Sequence, residues 1–283
     1  MHKIIIGFNS FFMMLFYFFL NFFSRKSINI NNPKLIVSLT CFPARINKVF
    51  FTIESIFNQK CNFNYEVRLY LSKDEFPCRK LPSSLKRLEN RNLKIFFVDG
   101  NLKSYKKLIY AYDNESKLPV VTADDDIFYP KSWLSCLYSK HLTNPEFVIF
   151  FRGRVISFTN DFQPDLYFNF KLSNQDDNGF LCIPTGVSGI LYPCGCFHSD
   201  WNNIEKILKL APTADDLWFK VMTLLNNRYS LMASKQSIHF TPVLGTQFIS
   251  LNKINVNNGY SENDTQFNAL LDHYKINLIE YLG

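Results

Sequence analysis

The sequence predicts an α/β protein: a mostly parallel, doubly wound central sheet with flanking helices, preceded by one apolar helix. Three observations predict it. Short apolar, β-branched-rich runs at 35–40, 65–72, 93–98 and 119–123 read as strands. Between them, apolar residues recur at helical spacing, and strands alternating with helices are the pattern of a parallel sheet. The last run ends abruptly in Asp124, Asp125 and Asp126, which places carboxylates at the carboxyl edge of a sheet, where ligands bind in open α/β folds.

The chain begins with an uncharged run at 4–23, interrupted mainly by Asn9, Ser10 and Asn21. As a helix it is roughly 30 Å long, the thickness of a bilayer core. The sequence Asn21-Phe22-Phe23-Ser24 supplies no small-residue cleavage site of the kind that ends a signal peptide. The expectation is a membrane anchor over 1–24, a Ser- and Asn-rich spacer over 25–34 and one domain over 35–283. Lys3 precedes the apolar run, and Arg25, Lys26 and Lys34 follow it. That excess of positive charge places the domain in the cytoplasm, at the inner membrane. A buried core helix is the bland alternative, although such helices seldom lack a polar face over this length. The Asn interruptions also leave open a helix lying in the membrane surface.

Composition bounds the rest. At 283 residues, 47% of them hydrophobic with 30 Phe, the chain is too apolar for disorder and long enough for one sizeable core. The formal charge of +7 is spread along the chain. No aromatic-and-glycine RNA motif or zinc-finger spacing accompanies it, so no nucleic-acid partner is expected. A basic face against anionic lipid is the more economical reading. Seven cysteines include one Cys-x-Cys at 194 and 196 but no Cys-x-x-Cys. A zinc site is not indicated, and scattered thiols fit a reducing compartment.

The elements follow in order. The strand at 35–40 is broken by Pro43, and from Arg45 onward Ile46, Val49, Phe50, Ile53, Ile56 and Phe57 fall on one helical face. Val67, Leu69 and Leu71 alternate in the second strand. Tyr105, Leu108, Ile109 and Tyr112 mark a helix, and Pro130 lies near the start of another. The stretch 158–179 is polar, aromatic and irregular: a flap over an acceptor, or a surface excursion. His239 is placed in a late strand, and Asp264 at the N-cap of a last helix carrying Leu270, Leu271 and Tyr274.

Three adjacent carboxylates repel one another, so another charge must offset them or their pKa values rise. Mg²⁺ or Mn²⁺ does this well, since both prefer hard oxygen ligands. The bland reading is an acidic strand-to-helix turn with one Asp as a cap.

Four segments carry a resemblance. IVSLTCFPARINKVFFTIESIFNQ (36–59), TADDDIFYP (122–130), GVSGILYP (186–193) and TADDLWF (213–219) resemble, in that order, segments of the GT-A glycosyltransferases of the family 2-like group. They are the opening strand, loop and helix with its Ser-Ile-x-x-Gln end, the DxD motif, the glycine-containing acceptor loop, and the acidic start of the catalytic helix. The departure is at the second strand, where the family often carries Asp-Asp for the nucleotide base and Leu71-Ser72-Lys73-Asp74 stands here. The overall look is of the bacterial surface-polysaccharide type.

The resemblance implies transfer of a sugar from a nucleotide-sugar donor to a cell-surface glycan or lipid-linked acceptor. Asp124 and Asp126, two residues apart on an extended segment, would hold the metal from one side. Asp125 would face elsewhere, toward ribose. Thr40, Pro43 and Arg45 would line the nucleotide pocket. Lys107 is a phosphate or donor contact, or else a solvated lysine on an amphipathic helix. His239 is a third metal ligand or a structural residue. Gly186 and Gly189 allow close approach to a ligand or a turn with positive φ. Asp216, or second to it Asp215, would be the general base of an inverting transfer; Thr213-x-x-Asp216 reads equally as a capping box. Two rival classes remain: a phosphohydrolase of the haloacid dehalogenase type, which also places Asp-x-Asp after a strand, and a non-catalytic assembly protein at the membrane.

Overall fold

The computed structural model describes residues 2–115, 117–246 and 261–282. The chain runs α1 (His2–Phe23), β1 (Leu35–Thr40), α2 (Val49–Phe57), β2 (Tyr65–Ser72), α3 (Ser83–Glu89), β3 (Leu93–Val98), α4 (Lys106–Ile109), β4 (Val120–Ala123) and α5 (Trp133–Thr143). It continues through β5 (Val148–Phe150), β6 (Gly153–Val155), β7 (Lys171–Leu172), β8 (Cys182–Pro184), β9 (Ile190–Tyr192), α6 (Ile204–Leu210), α7 (Asp215–Leu225), β10 (Ser230–Met232) and α8 (Glu262–Tyr274).

Seven strands form the main sheet in the order β10-β5-β9-β4-β1-β2-β3. β1 pairs in parallel with both β2 and β4, β2 with β3, and β5 with β10. β9 alone runs antiparallel, between β4 and β5. β1 is apolar along nearly its whole length because both of its faces are covered. Leu35, Val37 and Leu39 join one core with α2 and α3, while Ile36 joins a second core with α7 and α8 on the other face. Alternation along the strand thus assigns each side chain to a layer. A small second sheet, β7-β6-β8, joins β7, inside the stretch 158–179 expected to be irregular, to β6 and β8, which flank that stretch.

The differences from the sequence-based expectation are local. Residues 43–48 form turns, and α2 begins at Val49 rather than Arg45. The helix expected around 105–112 shrinks to a 3-10 turn at Lys103–Tyr105 and the single turn of α4. His239 lies in irregular chain beyond β10, not in a strand. Asp264 is the third residue of α8, not its cap; Ser261 takes that place, and the two form a reciprocal capping box.

The segment 2–34 is laid along the domain. Tyr17 is 4% exposed and stacks on Phe128, with ring centroids 5.4 Å apart. Beyond the helix, the Ile28 N–H donates to the Arg91 carbonyl and Arg91 Nε to the Lys26 carbonyl. Spacer and helix are therefore both in contact with the body that follows.

Candidate functional site

The aspartate run leaves β4 at the centre of the sheet and is held from several sides. The Asp124 N–H donates to the Tyr129 hydroxyl at 2.8 Å, and the Tyr129 N–H to Ser55 Oγ at 3.0 Å. Gln59 Nε2 donates to the Pro130 carbonyl at 2.7 Å, while its Oε1 accepts from the Leu134 N–H at 3.0 Å. Ser55 of α2 and Gln59 just past its end, two positions of the Ser-Ile-x-x-Gln pattern, thus fix the loop that follows the carboxylates. The Val243 N–H donates to the Asp126 carbonyl at 2.7 Å, which brings the loop at 241–246 against the same turn.

The three carboxylates divide into two groups. Asp125 and Asp126 both turn to Arg45, whose Nη1 lies 2.6 Å from Asp125 Oδ1 and 3.0 Å from Asp126 Oδ2. Arg45 Nη2 also donates to the Thr246 carbonyl at 3.1 Å. Asp125 therefore faces the same guanidinium as Asp126 instead of pointing away from it. The arginine requires this: its charge is buried, and two carboxylates offset its desolvation. Thr40 Oγ1 donates to the Tyr70 carbonyl at the end of β1, and Pro43 lies exposed in the following turn.

Asp124 belongs to the other group. Lys107 Nζ donates to Asp124 Oδ1 at 3.0 Å and lies 3.4 Å from Asp215 Oδ2. The Lys107 side chain is 8% exposed, so it is not a solvated surface lysine. The short α4 directs two neighbouring lysines to different partners: Lys106 pairs with Glu75 at 2.7 Å, and Lys107 reaches the site. Opposite them the Gly186 N–H donates to Asp216 Oδ1 at 3.1 Å. A Cβ built on Gly186 would lie 2.8 Å from Lys107 Nζ and 3.5 Å from both Asp124 Oδ1 and Asp216 Oδ1. The absence of a side chain at Gly186 thus lets one lysine and two carboxylates converge on its backbone. Gly189, three residues on, supplies a positive φ of 87° and lets the Trp133 ring lie against the backbone.

Asp215 and Asp216 open α7, and neither caps it. The N-cap is Ala214 with no side-chain cap bond. Gln266 Oε1 of α8 instead accepts from the Thr213 and Ala214 N–H groups at 3.0 and 3.1 Å. The capping-box reading of Thr213 and Asp216 is therefore replaced by a cap supplied from another helix. Asp216 is left free to bond Gly186.

Electrostatics follow from crowding. Burial, and then the charge of Asp215, push Asp216 up to about 8. Burial, and then Asp124, push Asp126 up to about 7. Burial raises Asp125 as well, with Arg45 opposing it. Burial works to lower Lys107, but Asp124, Asp215 and Asp216 outweigh it and hold the ammonium well above its ordinary value. The site thus keeps two firm positive charges, on Arg45 and Lys107, among carboxylates that resist ionising together.

Arg152 and Arg154 were not singled out by the sequence. Arg152 Nη1 donates to Thr185 Oγ1 at 3.0 Å, next in the chain to Gly186. Arg154 Nη1 donates to the Phe170 carbonyl at 2.6 Å and lies over the Tyr167 ring. Neither forms an ion pair among the described residues. Asp216 is one of the charges that Arg152 senses. No local pattern marks these arginines, since alternation along β6 and its lead-in predicts only which face they take.

The donor set suits a hard divalent cation. Asp124 and Asp126 carry carboxylate oxygens close enough for one to raise the pKa of the other, and the buried Asp125 Oδ2 has no hydrogen-bond partner. Among the described residues, no group of three or more His, Cys, Asp and Glu side chains is disposed to hold a metal. His239 is therefore not assembled with the aspartates as a third ligand, though it lies within the field of Asp124.

No family model and no curated protein matches the chain. Among solved structures it is similar to S. aureus TarS 1-349, at 16% identity over 87% of this chain and 73% of that one, with a TM-score of 0.47. The same protein in complex with UDP-GlcNAc aligns over 70% of this chain and 55% of that one, at 16% identity and a TM-score of 0.44. The mannosyltransferase PcManGT from Pyrobaculum calidifontis, in complex with GDP-Man and Mn²⁺, aligns at 14% identity over 81% of this chain and 64% of that one, with a TM-score of 0.40.

Proposed function

We propose that the chain is a metal-dependent glycosyltransferase that moves a sugar from a nucleotide-sugar donor to a cell-surface glycan or lipid-linked acceptor, with inversion. The observation that carries this reading is the convergence of Lys107, Asp124 and Asp216 on Gly186. It brings together a cation for a leaving diphosphate and a carboxylate for an attacking hydroxyl.

Asp124 and Asp126 would hold Mg²⁺ or Mn²⁺, which when bound supplies positive charge to the departing diphosphate. Lys107, kept charged by its three carboxylate neighbours, offers its ammonium to the same phosphate oxygens. Arg45 fixes Asp125 and Asp126, and with Thr40 and Pro43 it borders the side on which a nucleotide would lie. Asp216 is the general base and Asp215 its neighbour on Lys107. The acceptor oxygen bonds to the anomeric carbon as the carbon–oxygen bond to the diphosphate breaks. The electron pair leaves with the diphosphate, and the acceptor proton passes to Asp216. Arg152 offers a guanidinium to an anionic group of donor or acceptor.

The domain works at the cytoplasmic face of the inner membrane in this reading. Support comes from the length and apolarity of α1, which pass the test for a membrane helix at Ile6–Phe23. The seven cysteines, all free, accord with a reducing compartment.

The test is a transfer assay on the full chain in detergent, with Mn²⁺, a panel of nucleotide sugars and a lipid-linked acceptor. Sugar transfer that disappears in Asp216→Asn is the expected result. Release of phosphate from phosphomonoesters, with no nucleotide sugar consumed by any variant, would instead favour a haloacid dehalogenase-type hydrolase.

A further inference from the structure

The helix α1 is built inside out for a protein in water. A helix on a soluble domain turns apolar residues inward and polar ones outward. Here the buried stripe contains Ser10, Tyr17 and Asn21, at 0, 4 and 1% exposure. Ser10 Oγ donates to the Pro242 carbonyl at 2.7 Å and accepts from the Leu244 N–H at 3.1 Å. Asn21 Nδ2 donates to Glu54 Oε1 at 2.9 Å, and Arg87 Nε donates to Asn21 Oδ1 at 3.0 Å. Glu54 is itself fully buried and paired with Arg91 at 2.6 Å. Two of the three polar interruptions of the apolar run, Ser10 and Asn21, are thus points at which the helix is fastened to the domain.

The opposite face is exposed and, apart from Asn9 at its border, apolar. Phe8, Phe12, Phe16, Phe19 and Phe23 recur every three or four residues at 50–69% exposure. With Phe11, Leu15, Phe18 and Phe22, they cover roughly half of the circumference at about 3.6 residues per turn. Exposed phenylalanines in such a continuous face mark contact with something apolar.

We infer that α1 lies in the plane of a lipid bilayer, its phenylalanine face sunk into the acyl boundary, while Ser10, Tyr17 and Asn21 clamp its other face to the domain. This deepens the membrane assignment proposed above by stating how the surface is engaged. A spanning helix needs lipid on every side, but this one has a stripe bonded to buried groups of the domain. Pulling it free would strip Asn21 from Glu54 and uncover Phe128, which is 1% exposed. A second copy of the chain fits the face poorly, because paired helices cover a narrow seam and not half a circumference. The flanking charge favours a bilayer with anionic headgroups: Arg25 and Lys26 are exposed just beyond Phe23, and on α3 Arg87 lies 5.4 Å over the Phe22 ring.

The clamp also reaches the candidate site. The Leu244 and Gly245 carbonyls accept from Lys48 Nζ at 3.1 Å, the Thr246 carbonyl accepts from Arg45, and the Val243 N–H donates to the Asp126 carbonyl. Ser10 therefore acts as a positioning residue for the loop that backs the aspartates.

Two measurements test this without assaying transfer, so their failure is separable from failure of the glycosyltransferase reading. The first places single tryptophans by Phe8→Trp, Phe16→Trp and Phe23→Trp in the full chain, bound to phosphatidylethanolamine–phosphatidylglycerol vesicles with brominated acyl chains at two depths. The native Trp133, Trp201 and Trp218, at 1, 5 and 0% exposure, give a background measured on the unsubstituted chain. Equal, shallow quenching at all three positions is expected. A deep centre between shallow ends, as in a spanning helix, or no quenching at all, as in a face covered by protein, would overturn the proposal. The second is amide exchange at 241–246. Ser10→Ala should speed it while Phe16→Ser does not, and unchanged exchange in Ser10→Ala would overturn the coupling.

Discussion

Asp216 has two properties that pull in opposite directions with pH. Its folded-state pKa is raised to about 8, above the roughly 3.9 of an unfolded aspartate. The folded state therefore holds a proton that the unfolded state has lost. The stability contributed is full below the unfolded value and is lost as pH rises through the folded one. A base must be ionised, so transfer rises over the same range. Wild-type activity should increase with pH up to about 8 while the melting temperature declines. In Asp216→Asn that decline should flatten, because no carboxylate is left to ionise, and transfer should fall by on the order of 10²–10⁴. An Asn variant with normal turnover would assign the base to another residue. Gly186 provides a second check at this scale. Gly186→Ala places a methyl group 2.8 Å from Lys107 Nζ. A shift of about 1 Å in reacting groups costs up to roughly 10²-fold in rate, so kcat should drop with little change in melting temperature. Some of this was legible beforehand and some was not. Three aspartates after an apolar run announce themselves. Arg45 and its carboxylates are 80 residues apart, and no local pattern records their pairing. Lys107 was ambiguous because a buried lysine and a solvated one have the same sequence signature on so short a helix.

Elements were legible where periodicity is long enough to count. The strands at 35–40, 65–72 and 93–98 appear where alternation and β-branching place them. α4 was overdrawn because four apolar residues at helical spacing do not distinguish one turn from three. α1 was legible as apolar, but its docking was not, since Ser10 and Asn21 read as flaws in a lipid-facing run until their partners are known. The consequence for truncation is specific. Removing residues 1–24 sheds the exposed phenylalanines but also uncovers Phe128 and takes Asn21 from Glu54. The shortened domain should be less stable than the full chain, not merely free of the membrane. Tyr17→Ala isolates the packing part of that effect. Truncating a buried aromatic costs about 3–5 kcal/mol, which denaturant unfolding in detergent would register as a lower midpoint at unchanged slope. A Tyr17→Ala variant as stable as wild type would mean that α1 rests on the domain without supporting it.

At the scale of the molecule, the sheet order explains why the site lies where it does. β4 is central, between β1 on one side and the antiparallel β9 on the other. The carboxyl ends of β1 and β4 therefore open on the same edge, and the turn before β9 brings Gly186 to it. The acidic start of α7 reaches that edge from a stretch about 90 residues further on than the aspartate run, a convergence that segment order suggests and only the fold displays. Arg45 and Lys107 at this edge are already engaged by the carboxylates that follow β4 and by those that open α7. A nucleoside diphosphate adds further negative charge, and alone it should bind weakly. A divalent cation reverses that balance, so binding of the two should be mutually dependent. At a ligand concentration near 100 times its dissociation constant, native-state binding contributes about 2.7 kcal/mol, or roughly 5–10 °C in melting temperature for a domain of this size. The full chain with Mn²⁺ and a nucleoside diphosphate together should show that shift, and either alone should show little. Asp124→Ala should abolish it by removing the carboxylate shared between Lys107 and the cation. Equal stabilisation by the nucleotide in the presence of a chelator would mean that Lys107 and the arginines suffice, and the aspartates would then need another role.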